Sequence, residues 1–178
     1  MARERIHLFD TTLRDGQQTP GIDFSVEDKL LVMSLLDKLG VDYIEGGFPG
    51  GNPTDTTLFS VPRKSKATFT AFGMTKRAGR SVSNDPGFQA LLQAKAPALC
   101  LVAKSWDYHV RVALGCTNEE NLEAIRDSVE AAKAAGKEVL VDCEHFFDGY
   151  KANPAYATAC AKTAYDAGAR WVVLCDTN

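Results

Sequence analysis

The regular alternation of short apolar stretches with helical segments restricts the fold of this chain more than any other feature. Six stretches have the length and composition of buried strands, and turn or cap residues flank each of them. They are residues 5–10, 42–47, 67–72, 98–103, 138–142 and 171–175. Short apolar strands that alternate with helices predict a parallel sheet covered by helices.

Capping residues mark the helices between these strands. Ser25, with Asp28 three residues later, predicts a capping box, and Gly40 ends that helix. Thr117 with Glu120 predicts the start of a long helix that ends at Gly136. Further helices are predicted to start at Asn52-Pro53, at Asp85-Pro86, at Ser105 (through Leu114) and at Asn153-Pro154 (to Gly168).

The composition argues against several classes of protein. The 178 residues carry a net charge of −3, which favours neither nucleic acid nor an anionic membrane as a partner. No run approaches the ~18 apolar residues of a membrane-spanning helix, and the N-terminus lacks the apolar core of a signal peptide. We therefore expect a cytoplasmic protein. The five cysteines are odd in number and widely spaced, which predicts buried free thiols rather than disulfides or a zinc site.

A charged turn follows the first predicted strand. Residues 10–21 read DTTLRDGQQTPG, in which Arg14, Asp15 and Gln18 lie close together among turn residues. The guanidinium of Arg14 suits a carboxylate or an enolate oxygen, and the carboxylate of Asp15 suits a divalent cation. The same two residues could instead form an ion pair that closes a surface loop, and the spacing alone leaves both interpretations open.

Polar residues also follow the other predicted strands, at the end where parallel α/β folds gather function. Glu45 ends the second strand, where a buried carboxylate would need a partner such as Arg14; a solvated strand-end glutamate is the alternative. Asp142 and Glu144 share one face at the end of the fifth strand. The glycine-rich loop at 46–53 lacks a phosphate-binding pattern and is predicted to fit close to a substrate. The remaining polar strand ends are Lys104-Ser105 and Asp176-Thr177.

The motif D-T-T-L-R-D-G-x-Q resembles the first-strand signature of the metal-dependent Claisen enzymes built on TIM barrels. That family includes isopropylmalate, homocitrate and citramalate synthases and hydroxymethylglutaryl-CoA lyase. Further stretches resemble its citramalate-synthase branch, namely YIEGGFPGGNP at 43–53, KSWD at 104–107, EHFFDGYKANP at 144–154 and LCDTN at 174–178. The resemblance implies a TIM (β/α)8 barrel, with residues 1–178 as the N-terminal part of its catalytic domain and about six of the eight strands present.

The resemblance also implies a reaction and a role for several polar residues. The branch condenses acetyl-CoA with pyruvate, on the route to isoleucine and in branched-chain amino-acid biosynthesis, with a divalent metal such as Mg, Mn or Zn. By the resemblance, Asp15 is a metal ligand, Arg14 stabilises charge on the keto oxygen, and Glu144 assists removal of a proton from the acetyl methyl group. Substrate-binding residues are expected at Gln18, Glu45, Asp142 and Thr177.

The sequence departs from the family pattern in its metal ligands. The family's other ligands are two histidines in an H-x-H motif on strand seven and a later asparagine, and no H-x-H motif occurs here. We therefore expect the 178-residue chain to be inactive alone, and the enzyme to be a homodimer. The alternatives are a 2-isopropylmalate or homocitrate synthase acting on another 2-keto acid, a carbon–carbon lyase of the hydroxymethylglutaryl-CoA type, or a non-catalytic half-barrel that associates through its open strand edge.

Overall fold

Strands and helices alternate along the whole of the computed structural model, which describes residues 5–177. The strands form a sheet in the order in which they occur in the chain, and the pairs β1–β2, β2–β3 and β5–β6 are parallel. They are β1 (Phe9–Asp10), β2 (Tyr43–Gly47), β3 (Thr68–Met74), β4 (Ala98–Lys104), β5 (Glu138–Glu144) and β6 (Trp171–Leu174). The predicted parallel α/β sheet is confirmed.

The helices follow the capping signals of the sequence. Ser25 and Thr117 form complete capping boxes, and the side chains of Asn52 and Asn153 cap the helices that follow them. The helices are α1 (Val26–Leu39), α2 (Pro53–Leu58), α3 (Pro86–Gln93), α4 (Asp107–His109, continued by a π-helical turn at Val110–Leu114), α5 (Asn118–Ala134), α6 (Phe146–Ala152) and α7 (Pro154–Asp166). Short 3-10 turns lie at Gly16–Gln18 and Val82–Asn84.

The prediction of a first strand over residues 5–10 was wrong in its extent. Only Phe9–Asp10 pair with β2, and the side chains of Ile6 and Leu8 are 84% and 56% exposed. The backbone N–H of Leu8 donates to the carboxylate of Asp42 (2.9 Å), not to a strand carbonyl. The Leu8 carbonyl oxygen still accepts from the N–H groups of Asp42 and Tyr43 (both 3.0 Å), but a side chain takes the Leu8 N–H, so regular strand pairing does not extend to Ile6.

The prediction that Ser105 caps a helix was also wrong. The residue before α4 is Trp106, whose side chain makes no capping hydrogen bond. The Ser105 hydroxyl instead donates to the carbonyl oxygen of Glu144 (2.7 Å). Helix α6, which the sequence analysis did not predict, begins two residues after Glu144 and packs Gly149 against Ser105.

The described chain falls into two compact units, of which the first comprises its residues up to Phe72 together with Ala94–Ala98. Helix α1 packs on β2 and α2 through Lys29, Met33 and Leu36, whereas leucines on its other face are exposed. The exposed leucines are Leu31, Leu35 and Leu39. The apolar core of the unit contains Leu13, Met33, Leu36, Tyr43, Ile44, Leu58, Phe59 and Phe69.

The second unit comprises Gly73–Gln93 and the described residues from Leu99 onward. Helices α5 and α7 pack on each other and on β5. Within this unit every residue of β4 is buried until Lys104, so Lys104 is the first side chain of the strand to reach solvent. The apolar core of the unit contains Phe88, Leu91, Leu99, Leu101, Val110, Ile125, Val129, Val139, Val141, Cys143, Tyr156 and Cys160. Across residues 5–177, the helices are too short or too polar to cross a membrane.

Candidate active site

Arg14 is the central residue of a polar site in the first unit. Its Nε donates to Glu45 Oε2 (2.7 Å) and its Nη1 donates to Asp15 Oδ1 (2.9 Å). The guanidinium carbon lies 3.9 Å from the centre of the Phe72 ring. Glu45 ends up with no exposed side-chain surface, so the arginine compensates a carboxylate whose burial would otherwise be costly. The predicted partnership of these two residues is confirmed, and the alternative of a solvated glutamate is wrong.

A cavity of about 280 Å³ opens beside Arg14 within the same unit. Its wall contains Gln18, Phe48, Asn52 and Phe72 in addition to the arginine. An arginine carries five N–H donors, and two of those on Arg14 are engaged by carboxylates, which leaves donors for an oxygen of a bound ligand. The structure thus brings together the predicted site residues Arg14, Asp15, Gln18 and Glu45.

A buried lysine supports the glycine-rich loop that lines this cavity. Lys29 has no exposed surface, forms an ion pair with Asp55 and donates to the carbonyl oxygen of Gly46 (3.0 Å). The other oxygen of Asp55 accepts from the backbone N–H of Phe48 and from Asn52 Nδ2, both at 2.9 Å. The sequence contains one signal of this pair, which is not among the predictions: Lys29 lies four residues before Met33, on the buried face of α1.

Glu144 is the central residue of a second polar site, in the second unit. Its carboxylate forms an ion pair with Lys104, and the two side chains are 28% and 18% exposed. Its carbonyl oxygen accepts from both the hydroxyl (2.7 Å) and the backbone N–H (3.4 Å) of Ser105. The ends of β4 and β5 therefore hold Glu144 at its main chain and at its side chain, a pairing that the sequence analysis did not predict.

The residue after Glu144 has an unusual backbone conformation. His145 has φ 53°, which is the left-handed region, and no other non-glycine residue between 5 and 177 has a positive φ. Such a conformation costs energy unless surrounding contacts hold it. The N–H of His145 donates to Thr177 Oγ1 (3.0 Å), and its ring Nδ1 lies 3.3 Å from Asp148 Oδ2. Thr177 thus supports the main chain beside Glu144.

Asp142, another predicted site residue, lies on β5 two residues before Glu144. Asp142 and Glu144 are both partly exposed, and Cys143 between them is fully buried, so the predicted alternation along β5 is confirmed. Asp142 lies opposite Val173 of β6. Asn178, the last residue of the motif LCDTN, lies outside the described residues.

A histidine of the second unit, His109, packs among aromatic rings. The rings of His109 and His145 meet edge to face at 4.6 Å, and His109 also contacts Trp106 (4.7 Å between ring centres). Burial lowers the pKa of His109, and the charges of His145 and Lys104 lower it further. These effects favour the uncharged form of the His109 imidazole.

The five cysteines, all among the described residues, are free thiols, but only three of them are buried as predicted, because Cys116 and Cys175 are partly exposed. None of the five forms a disulfide, and Cys100, Cys143 and Cys160 are buried. Burial raises the pKa of Cys143 to about 12 and that of Cys160 to about 11. A thiol is nucleophilic only as its thiolate, so these two cysteines are inert at neutral pH.

Comparison with known families identifies the chain. A family model described as HMGL-like matches residues 5–178. The chain belongs to the HMGL-like family. Members of this family are metal-dependent.

Curated relatives of this HMGL-like chain are (R)-citramalate synthases. The protein of Streptomyces coelicolor is 51% identical over 179 residues, which cover 98% of this chain and 34% of that protein. The protein of Aquifex aeolicus is 48% identical over 178 residues, with coverages of 98% and 34%. The 2-isopropylmalate synthase of Listeria monocytogenes is more distant, at 31% identity over 174 residues and coverages of 98% and 33%. The chain therefore spans about a third of the length of the curated relatives it matches.

Solved structures of the family share the fold. The HMG-CoA lyase of Bacillus subtilis superimposes with a TM-score of 0.72 at 17% identity, covering 96% of this chain and 57% of that chain. At that identity the likeness concerns the fold alone. The six strands in chain order and this match assign the chain to the TIM-barrel class, with six of eight strands present, as predicted.

Proposed function

We propose that this chain contributes the keto-acid site of an (R)-citramalate synthase, an acyltransferase that condenses acetyl-CoA with pyruvate. The observation that carries the proposal is the Arg14 guanidinium, which the fully buried Glu45 fixes beside a cavity of about 280 Å³. The high identity to curated (R)-citramalate synthases, compared with that to a 2-isopropylmalate synthase, supports pyruvate as the keto acid.

Arg14 would bind the keto acid and stabilise the charge that develops on its keto oxygen. Glu45 and the Phe72 ring hold the guanidinium in one orientation, so its free donors need not reorganise during the reaction. A preorganised donor of this kind contributes roughly a hundredfold to a thousandfold in rate. Gln18 lines the same cavity and would contact the substrate.

Asp15 would supply one ligand to a divalent metal. Its side chain is 58% exposed, one carboxylate oxygen accepts from Arg14, and the other makes no hydrogen bond to a described residue. A free, exposed carboxylate oxygen is a suitable ligand for Mg or Mn. Dedicated sites for these ions contain several ligands, of which Asp15 would supply one. The metal would polarise the keto oxygen of the bound acid. The identity of the metal stays a prediction.

Glu144 would take a proton from the methyl group of the acetyl thioester. Its carboxylate is partly exposed, so it can meet a substrate, and Ser105 and Lys104 fix it in place. Thr177 would act through the backbone of His145, because its hydroxyl accepts the N–H of that residue. The role of Asp142 in substrate binding stays a prediction. The homodimer and the cytoplasmic location also stay predictions.

Steady-state kinetics on the full chain that carries this sequence would test the proposal. We expect release of CoA from acetyl-CoA with pyruvate, and little release with 2-ketoisovalerate or 2-ketoglutarate. Arg14→Lys keeps the charge but loses the planar fork, so kcat should fall by roughly a hundredfold. The matched control is Arg170→Lys, since Arg170 also stacks on an aromatic ring (4.7 Å from Trp171) but in the other unit.

Two outcomes of these kinetics would contradict the proposal. One is preferential turnover of 2-ketoisovalerate or 2-ketoglutarate, which would favour the 2-isopropylmalate or homocitrate synthase alternative. The other is cleavage of a 3-hydroxyacyl-CoA without any condensation, which would favour the lyase alternative. A third outcome, equal activity of Arg14→Lys and Arg170→Lys, would show that Arg14 takes no part in the reaction.

A further inference from the structure

Lys104 emerges from the buried strand β4, and two buried residues contact its carbonyl oxygen. Its carbonyl oxygen accepts from Asn121 Nδ2 (2.8 Å) and lies 3.8 Å from the thiol sulfur of Cys160. Asn121 is itself buried and donates to the hydroxyl of Tyr156 (2.8 Å). The stem of the Lys104 side chain therefore starts from an immobile point.

The main chain of Glu144 is fixed by the residue next to Lys104. Ser105 is fully buried and donates to the Glu144 carbonyl oxygen twice, through its hydroxyl and through its N–H. Gly149 of α6 packs so closely that a β-carbon at this position would overlap the Ser105 carbonyl oxygen. These contacts hold the Glu144 main chain but not the orientation of its side chain.

Lys104 restricts the orientation of that side chain. Its Nζ pairs with Oε2 of Glu144, whereas Oε1 accepts no hydrogen bond from a described residue. One oxygen is held and the other is left to receive a proton. Resting on the proposed function, we infer that Lys104 is a positioning residue, which orients Glu144 for proton removal from the acetyl-CoA methyl group.

The exposure of the pair separates this role from a merely structural one. Both side chains of the Lys104–Glu144 pair are partly open to water, at 18% and 28% exposed, so solvent screening reduces the contribution of the pair to stability. Misplacing a catalytic group by about 1 Å, in contrast, can cost about a hundredfold in rate. Loss of Lys104 should therefore disturb the orientation of Glu144 and the rate while leaving the fold intact.

The orientation of Glu144 can be measured without activity. In the full chain labelled with 13C at glutamate side chains, relaxation of the Glu144 signal, assigned with Glu144→Gln, reports the mobility of that side chain. We expect Lys104→Met to increase this mobility clearly and Lys162→Met to leave it unchanged. Lys162 is the matched control, because it forms an exposed ion pair with Asp166 in the same unit. Unchanged mobility in Lys104→Met would overturn the inference whatever the activity.

The kinetic consequence is measured on the same variants. Lys104→Met should lower kcat by roughly tenfold to a hundredfold with little change in the KM for pyruvate. Lys104→Arg should retain more activity than Lys104→Met, and added ethylamine should restore part of the kcat of Lys104→Ala. A structural role would produce no such rescue, and a Lys104→Met enzyme with mobile Glu144 and normal kcat would overturn the inference.

The two proposals can fail separately. If the unchanged chain forms no citramalate, the proposed function is contradicted, while the relaxation measurement still decides whether Lys104 orders Glu144. If the unchanged chain is active and Glu144→Gln keeps full kcat, the role of Glu144 falls and the positioning role of Lys104 falls with it.

Discussion

Each of the two units places a carboxylate beside a cation at the end of a strand, but the two pairs differ in burial and in the cation. Glu45 is fully buried and paired with an arginine, whereas Glu144 is 28% exposed and paired with a lysine. Arginine is a rigid fork that keeps its charge, and lysine is a mobile point charge. The first pair is suited to hold a fixed charge against a substrate, and the second leaves its carboxylate accessible to a proton.

The largest effect is expected from breaking the buried pair. Glu45→Gln removes the fully buried partner of Arg14 and leaves the arginine only the exposed Asp15, so the free energy of unfolding should fall by up to about 3–5 kcal/mol in urea denaturation. The matched control is Asp15→Asn, because Asp15 pairs with the same arginine but is 58% exposed. That control should cost less than about 1 kcal/mol. Equal losses in the two variants would show that burial does not distinguish the pairs.

The next largest effect concerns the support of Glu144. Gly149→Ala places a β-carbon against the Ser105 carbonyl oxygen, and overpacking of this kind should lower the free energy of unfolding by about 1–3 kcal/mol. Gly87→Ala is the control, since Gly87 also lies in a helix of the second unit but its added β-carbon meets only ordinary contacts. Gly87→Ala should be neutral or stabilising by up to about 1 kcal/mol. The explanation fails if both variants are equally stable.

A smaller effect on stability is expected from the partly exposed pair of Lys104 and Glu144. Water reaches the Glu144 carboxylate, so Lys104→Met should change the free energy of unfolding by only about 1 kcal/mol. Thermal or urea denaturation would check this value beside Glu45→Gln. A loss as large as that of Glu45→Gln would mean that the two pairs are equivalent and would remove the contrast between the units.

The smallest effect is expected in acid, where both units should lose some stability. Burial alone would raise the pKa of Asp37 in the first unit and of Asp85 in the second, but backbone N–H groups outweigh it and lower both. The N–H donors are Ala67 and Lys66 for Asp37, where the Ser65 hydroxyl also donates, and Arg77 and Phe88 for Asp85. A lowered pKa stabilises the fold fully above the ordinary value of 3.8, and this stabilisation is lost as pH falls below 3.8 through the folded-state pKa.

Urea midpoints at about pH 7 and about pH 3 would measure this acid sensitivity. Asp37→Asn and Asp85→Asn should each show a smaller drop between the two conditions than the unchanged chain. Asp166→Asn is the control, because Asp166 is exposed and pairs only with Lys162 among the described residues. If the urea midpoints of both variants fell as much as that of the unchanged chain, Asp37 and Asp85 would not be the source of the acid sensitivity.

The first polar site was largely predictable from the sequence. Arg14 follows β1 and Glu45 lies in the second half of the neighbouring parallel strand β2, and the ends of parallel strands meet at one edge of a sheet. A glutamate in an apolar strand also requires a cation, which limits its partners. Phe72 escaped prediction, because an aromatic residue in a strand looks like ordinary core and only the folded chain shows its ring against the guanidinium.

The second polar site was predictable only in part. Asp142, Glu144 and Thr177 were assigned to strand ends, and Lys104 was noted at another, but no spacing rule pairs residues 40 positions apart in sequence. Helix α6 spans only seven residues and has a glycine in the middle, a pattern that favours a turn in the sequence. The structure explains this glycine, because a larger residue would overlap Ser105. Ser105 likewise has the residue type of a helix cap, while tertiary contact gives its hydroxyl another acceptor.

The product formed from pyruvate and acetyl-CoA by the full chain is the most direct test of the central claim. Chiral chromatography with mass spectrometry would identify it in a reaction supplied with Mg or Mn. We expect (R)-citramalate with the unchanged chain and roughly a hundredfold less with Arg14→Lys. Formation of a different acid from another 2-keto acid, with none from pyruvate, would contradict the account.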